Sequence, residues 1–368
     1  MSTKRGSGNS SLARQAIVPV LALVFYAGLL FATRSGLALQ PPAGLGLVLP
    51  VLLLAVMSAV AHAETLAHRI GEPFGTLVLT ISVTIIEVAL IIPVAFGEKG
   101  DMALARDTVF SVIMIVCNGL VGLCILVGCI RHREQDFEVK GASAYLAVLT
   151  VLSVLTLILP DYTITTPGPT LAPAQLLFEA AVTILLYAVF LFIQTVRHKE
   201  YFISEDPKAA PEWEAGERIP AWKPALLLIA SLVGSVLLAK TFASYLKPAL
   251  AAKEAPPALA GFAVAFLVLL PEAVTAIRAS YSNQLQRSIN LALGSSLATI
   301  GLTVPAVAGI SLYLGRDLVL GLNSEATVLL LLTLLVSTLT FGTGRTNILY
   351  GFVHLIVFGT YMLLIFLP

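Results

Sequence analysis

Charge is what this sequence has least of. Asp, Glu, Lys and Arg together make up 12% of its 368 residues, about half the share of an ordinary soluble domain, which carries about 25%. A chain so poor in charge cannot cover itself with a solvated surface, and this excludes a soluble globular protein. Its 22 basic and 21 acidic residues leave a net charge of +1, which excludes a basic face for nucleic acid. Cysteine is nearly absent. Cys117, Cys124 and Cys129 fall in one apolar run without zinc-ligand spacing, so there is no disulfide framework and no structural metal site. The clustered aspartates that would hold magnesium in a prenyl-transfer enzyme are missing as well.

Apolar residues fill the space that charge leaves. They are 58% of the chain, and the mean hydropathy is +0.93. Hydropathy marks eleven spans, near 16–33, 44–62, 75–96, 108–130, 143–160, 174–196, 224–246, 257–280, 286–311, 325–341 and 347–367. Barrel strands would alternate at every second residue, and these runs do not. The expected fold class is an all-α integral membrane protein with eleven transmembrane helices. The first span follows "MSTKRGSGNSSLARQ" and lacks a small-residue cleavage site, so it reads as a retained helix.

Basic residues give the orientation. With the N-terminus in the cytoplasm, fifteen of the 22 Lys and Arg lie on the cytoplasmic side and seven on the other. Cytoplasmic connections carry the excess of Lys and Arg, so the N-terminus is predicted inside and Pro368 outside, periplasmic or extracellular. The longest polar stretch, residues 197–223, reads as a cytoplasmic linker. It holds six acids without the spacing of a calcium loop.

That linker divides two related sets of five spans. The segment "LARDTVFSVIMIVCNGLVGL" in the first set resembles "LQRSINLALGSSLATIGLTVPAV" in the second. Aligning Arg106 with Arg287 puts Asn118 opposite Thr299, and Met114 opposite Ser295. Five is odd, so the second set enters the membrane from the opposite face, giving an inverted repeat of the kind many transporters use. The expected organisation is a tail and extra helix over 1–43, a first five-helix repeat over 44–196, the linker, and a second repeat over 224–368.

Each set carries a glutamate in its second span. Glu87 sits within "VLTISVTIIEVALIIPVAF" and Glu272 within "AFLVLLPEAVTAIRAS". A charged residue at mid-membrane costs about 2.5–3.5 kcal/mol on insertion scales. A pseudo-two-fold axis would bring the two carboxylates together near the midplane, where they can bind one cation and take up protons when it leaves. Thr80, Thr84 and Thr275 lie on the faces of the acids. Asn118, Ser295, Ser296 and Thr299 follow on the next helices. Calcium takes about 6–8 oxygen ligands, and two glutamates supply at most four, so these neutral oxygens, backbone carbonyls and water would complete the shell. Pro271 removes a donor from the carbonyl at or near Leu267, just before Glu272. In "HAETLAHRIGEP", His62 and Glu64 are candidates for a proton relay, against the plainer reading of a polar interface turn. Glu179 and His354 read as contacts between helices, and Arg278 as a side chain reaching for the interface.

On "HAETLAHRIGEPFGTLVLTISVTIIEVALI", "LLPEAVTAIRAS", "QRSINLALGSSLATIGLTVP" and "STLTFGTGRTNILYGFVHL", the chain resembles the cation/proton antiporter family of the calcium/cation antiporter superfamily. The resemblance is to its bacterial sodium–potassium/proton and calcium/proton branch. It implies one extra N-terminal helix and two inverted five-helix bundles in the bacterial inner membrane. It also implies that Glu87 and Glu272 carry cation and protons, with Gly294, Ser295, Ser296 and Asn118 beside them. Broader calcium/proton exchangers carry "GNAxE" around each acid. The positions here read "VTIIE" and "VLLPE", so sodium and potassium stand beside calcium as expected substrates. The expected function is a secondary active antiporter exporting a cation against protons, with no cofactor and no enzymatic activity; its partners are inorganic cations, protons and the lipid bilayer. A cation channel and an intramembrane enzyme are the alternatives. The oligomeric state has no signature in the sequence.

Overall fold

A computed structural model describes residues 7–37, 40–71, 74–97, 100–202, 220–367. Most of the 197–223 linker therefore lies outside the described residues, as do the first six residues and Pro368. Among the described residues, eleven helices are long and apolar enough to cross a membrane, matching the eleven expected spans one for one. They are α1 (Ser7–Arg34), α2 (Pro41–Ile70), α3 (Phe74–Ala95), α4 (Leu104–His132), α5 (Val139–Leu157), α6 (Pro173–Arg197), α7 (Trp222–Ala251), α8 (Ala258–Tyr281), α9 (Leu285–Leu314), α10 (Ser324–Phe341) and α11 (Ile348–Phe366).

The helices form two compact units. The first holds α1, α2, α3 and α7, and the second holds the remaining seven. These units cut across the two sets of five read from the sequence.

In the first unit, α2 and α7 pack along their length. Each opens one of the two sets. Ser58 Oγ lies 3.2 Å from Ser231 Oγ across this contact. Near one end, Gly44 faces the ring of Tyr245 so closely that a Cβ there would come within 2.4 Å of it. Helix α2 continues past His62 and Glu64 to Ile70, and Gly71 follows it at φ 77. The polar segment is thus helix rather than an interface turn: no residue before Gly71 breaks it.

The second unit buries polar side chains between its helices together with an apolar core. On α10, Thr333, Ser337 and Thr340 are fully buried, while Leu331, Leu335 and Leu339 are exposed. A helix in lipid does the same, because polar side chains find partners only among other helices. Close helix approach needs small residues. A Cβ on Gly351 of α11 would lie 3.0 Å from the Leu126 nitrogen of α4. On α8, a Cβ on Gly261 would come closer still, 2.8 Å from the Asp107 carbonyl carbon and 2.9 Å from the Thr108 nitrogen of α4.

Two short pairings tie the connections of this unit. Strand β1 (Glu134–Asp136), after α4, runs antiparallel to β2 (Arg345–Asn347), after α10, with Asp136 opposite Arg345. Arg345 bonds Asp136 at 2.7 Å and Glu134 at 3.3 Å. A bridge joins Thr170, between α5 and α6, to Val319, between α9 and α10. Each pairing links connections that eleven alternating spans place on the same face. The two are also exchanged by the repeat: the connection after the third helix of one set pairs with the connection after the fourth helix of the other.

Candidate functional site

The first unit carries Glu87, Thr84, His62 and Glu64. Glu87 is 1% exposed, midway along α3. The hydroxyls around it bond their own helix: Thr80 donates to the Thr76 carbonyl at 2.8 Å, Ser82 to Val78 at 2.7 Å and Thr84 to Thr80 at 2.9 Å. A hydroxyl whose proton is turned into the helix still offers lone pairs, so Thr84 fits a cation ligand as well as it fits a purely local bond. At the far end of α3, after Pro93, Lys247 of α7 donates to the Val94 carbonyl at 2.6 Å, where an ammonium offsets the negative end of the helix. His62 is buried on α2, and Glu64 is half-buried.

The second unit carries Glu272, Asn118, Ser295, Ser296 and Thr299. Glu272 lies in α8 directly after Pro271; its residue is partly exposed, but its Oε2 oxygen is buried. Asn118 and Thr299 share a backbone feature. Within α4, residues Ile115–Leu120 form a π turn, and within α9, Thr299–Thr303 form another. Such turns are rare and are frequent at functional sites, because one extra residue re-aims the side chains around it. The π turn of α4 packs on both α8 and α9, so the helices of Glu272, Asn118 and the serines converge. Ser296 is fully buried, and its Oγ has no hydrogen-bond partner among the described residues. Ser295 is half-buried and Thr299 is 1% exposed. Among the described residues, no three His, Cys, Asp or Glu side chains form a metal cluster. A cation in this unit would meet the Glu272 carboxylate supplemented by neutral oxygens.

Asn118 is tied to helices that the sequence reading did not connect with it. Its Nδ2 donates to Thr333 Oγ1 at 2.8 Å, and its Oδ1 lies 3.3 Å from His354 Nδ1. His354 Nε2 lies 2.9 Å from Thr340 Oγ1. A neutral ring satisfies both ends, with Nδ1–H donated to Asn118 and Nε2 accepting from Thr340. His354 does join helices, as expected, but it does so by holding a candidate site residue. Nearer the start of α4, Ser111 and Tyr361 form a second polar contact between α4 and α11, at 2.7 Å. The hydroxyls on α10 at i, i+4 and i+7 in "TLLVSTLT" were the available signal for the buried stripe that Asn118 joins.

The chain matches the family described as sodium/calcium exchanger protein over residues 41–196 and 223–367. It belongs to that family. The two matched blocks leave out most of the 197–223 segment. This exchanger is 38% identical over 358 residues to the sodium-potassium/proton antiporter ChaA of Escherichia coli, covering 95% of each chain. Its fold is similar to that of YfkE, with TM-score 0.71 and 14% identity, over 96% of this chain and 98% of that one. The crystal structure of the H+/Ca2+ exchanger CAX is similar at TM-score 0.68 and 13% identity, covering 96% of this chain and 89% of the other. The exchanger is therefore a multi-pass membrane protein of the cation antiporter type, and its family is one of transporters and not of enzymes.

Proposed function

We propose that this exchanger exports calcium from the cytoplasm in return for protons by alternating access around Glu87 and Glu272. The observation that carries the reading is the matched pair: one intramembrane glutamate in the second span of each five-helix set, with a buried carboxyl oxygen at Glu272 and a buried side chain at Glu87. Matched π turns on the following helices add support.

Charge explains the coupling. Two carboxylates with one calcium are neutral, and two protonated carboxyls are neutral as well. The empty, doubly ionised pair is not, and each uncompensated buried ion costs several kcal/mol. The site therefore crosses between faces loaded with a cation or with protons, and crosses empty only at that cost. Calcium arrives from the cytoplasm and displaces the protons. Neutral oxygens of Asn118, Ser295, Ser296, Thr299 and Thr84 complete its shell. Protons from the opposite face then release it. The two acids titrate as a pair. The protein works in the bacterial inner membrane, with its N-terminus in the cytoplasm and its C-terminus outside; its repeats span 44–196 and 224–368.

Sodium or potassium is the second substrate reading, favoured by the similarity to ChaA and by "VTIIE" and "VLLPE" around the acids. Everted vesicles with an acidic interior, challenged in turn with calcium, sodium, potassium and magnesium, decide between them. Proton efflux on calcium addition supports the proposal. Efflux only with the monovalent ions replaces calcium as the substrate, and cation flux without any proton movement would indicate a channel.

A further inference from the structure

A third carboxyl lies within the spans, outside the groups assigned above. Glu179 is the seventh residue of α6, about 9 Å along the helix from its start at 1.5 Å per residue. It is 6% exposed. Its Oε1 oxygen accepts from Thr156 of α5 at 2.5 Å and from Thr183, one turn on, at 3.4 Å. Thr183 also donates to the Glu179 carbonyl at 2.7 Å. The Oε2 oxygen is buried and has no hydrogen-bond partner among the described residues.

The second set holds a counterpart. His354 is the seventh residue of α11. Thr156 is the next-to-last residue of α5, and Thr340 is the next-to-last residue of α10. In each set, then, a titratable side chain on the last helix meets a threonine near the end of the helix before it. His354 has both ring nitrogens engaged, by Thr340 and Asn118. Glu179 has one oxygen engaged and one not, so the repeat closes one of the two positions and leaves the other able to bind.

The position is reachable. Glu179 lines a cavity of about 310 Å³ with Leu155, Leu159, Thr163, Leu171 and Phe178, which extends to the connection between α5 and α6. The packed helices bring no charge to the carboxyl. Lys140 and Tyr145 on α5, Arg287 and Tyr313 on α9, Tyr187 and Arg197 on α6 itself, and Asp161 and Tyr162 in the connection are the titratable groups of its surroundings. None of them hydrogen-bonds it. A bare carboxylate so placed is costly, and with no cation beside it the group that neutralises it is a proton. The Thr156 hydroxyl donates to Oε1, so the acid proton sits on Oε2, on the unbonded side.

We propose that Glu179 is a third proton-binding group of this exchanger, loaded through that cavity from the face where the α5–α6 connection lies. The step is carboxylate plus proton to carboxylic acid, and its reverse, with no other reactant. The proposal rests on the proton-coupled reading above and adds a site outside its two central glutamates.

Infrared difference spectroscopy of the full-length protein in lipid, titrated with acid and base, tests it apart from transport. In a Glu87→Gln, Glu272→Gln background, one carboxylic acid band should still rise and fall with pH. Glu179→Gln should remove it, and Glu179→Asp should move its frequency. A spectrum indifferent to Glu179 overturns the proposal, whatever the central acids do. In vesicles of the otherwise unaltered exchanger, Glu179→Gln should leave the cation Km within twofold. It should also remove one titration step from the curve of rate against pH on the α5–α6 face. A raised Km with an unchanged pH curve would mean a packing role only, and would also overturn it.

Discussion

Replacing Asn118 by alanine removes two contacts between helices at once, the bond to Thr333 at 2.8 Å and the bond to His354 at 3.3 Å. Hydrogen bonds between membrane helices contribute about 0.6 kcal/mol on average and at most about 1.7. Two of them put the loss at about 1–3 kcal/mol. Thr333 keeps its bond to the Leu329 carbonyl at 2.7 Å, so the orphaned group is the His354 ring, and the cost depends on whether that ring is still there. Unfolding of the purified protein in mixed detergent, for Asn118→Ala, His354→Ala and the pair together, isolates the shared bond. The coupling energy should be about 0.6–1.7 kcal/mol, since that bond alone is common to both variants. Both single variants should raise the apparent cation Km in vesicles, because His354 fixes the direction of the Asn118 amide. Losses that add to within about 0.3–0.5 kcal/mol would show that the two side chains do not interact, and would refute the network.

Other consequences follow from the same geometry. Ser295→Ala and Thr299→Ala should raise the cation Km, for calcium more than for sodium because calcium takes more oxygens, while the rate at saturating cation falls less than in the glutamate variants; unchanged Km in both would assign these hydroxyls to their own helices. Gly351→Val should destabilise the α4–α11 contact by about 1–3 kcal/mol through overpacking, since its Cβ would meet the Leu126 nitrogen at 3.0 Å and the Gly122 carbonyl at 3.1 Å; thermal unfolding at wild-type temperature would contradict the close approach. Cysteines placed within 197–223 should react with cytoplasmic reagents, and a tag after Pro368 with external ones; a cytoplasmic C-terminal tag would contradict the odd number of spans.

The spans were legible because the transfer of side chains into lipid is written residue by residue, and a run of apolar residues is a sufficient signal. The burial at Glu87 and Glu272 was legible for the complementary reason: a charge in such a run must be withdrawn from lipid. The end of α2 was misread because His62, Glu64 and His68 suggest an interface, whereas helix hydrogen bonding continues until Gly71 relieves it. The π turns left no mark in the pattern of residue types, since one extra residue per turn barely shifts a run that is apolar all round. The partners of Asn118 were hidden because Thr333 and His354 lie on the last two spans, more than two hundred residues from Asn118; only packing brings them together. The pairing of β1 with β2 was equally silent, as three-residue strands carry no periodicity.

The measurement that bears most directly on the central claim is proton-coupled cation exchange in everted vesicles carrying Glu87→Gln or Glu272→Gln. Glutamine keeps the shape of the side chain but neither ionises nor carries a proton. With one acid gone, a bound calcium leaves an uncompensated charge, a loss of about 3–5 kcal/mol, or two to three and a half decades in affinity at about 1.4 kcal/mol per decade. Each variant should be inserted at wild-type levels and show no exchange at any calcium concentration the vesicles tolerate. Exchange at the wild-type rate in either variant would contradict the role given to that glutamate, and with it the two-carboxylate account.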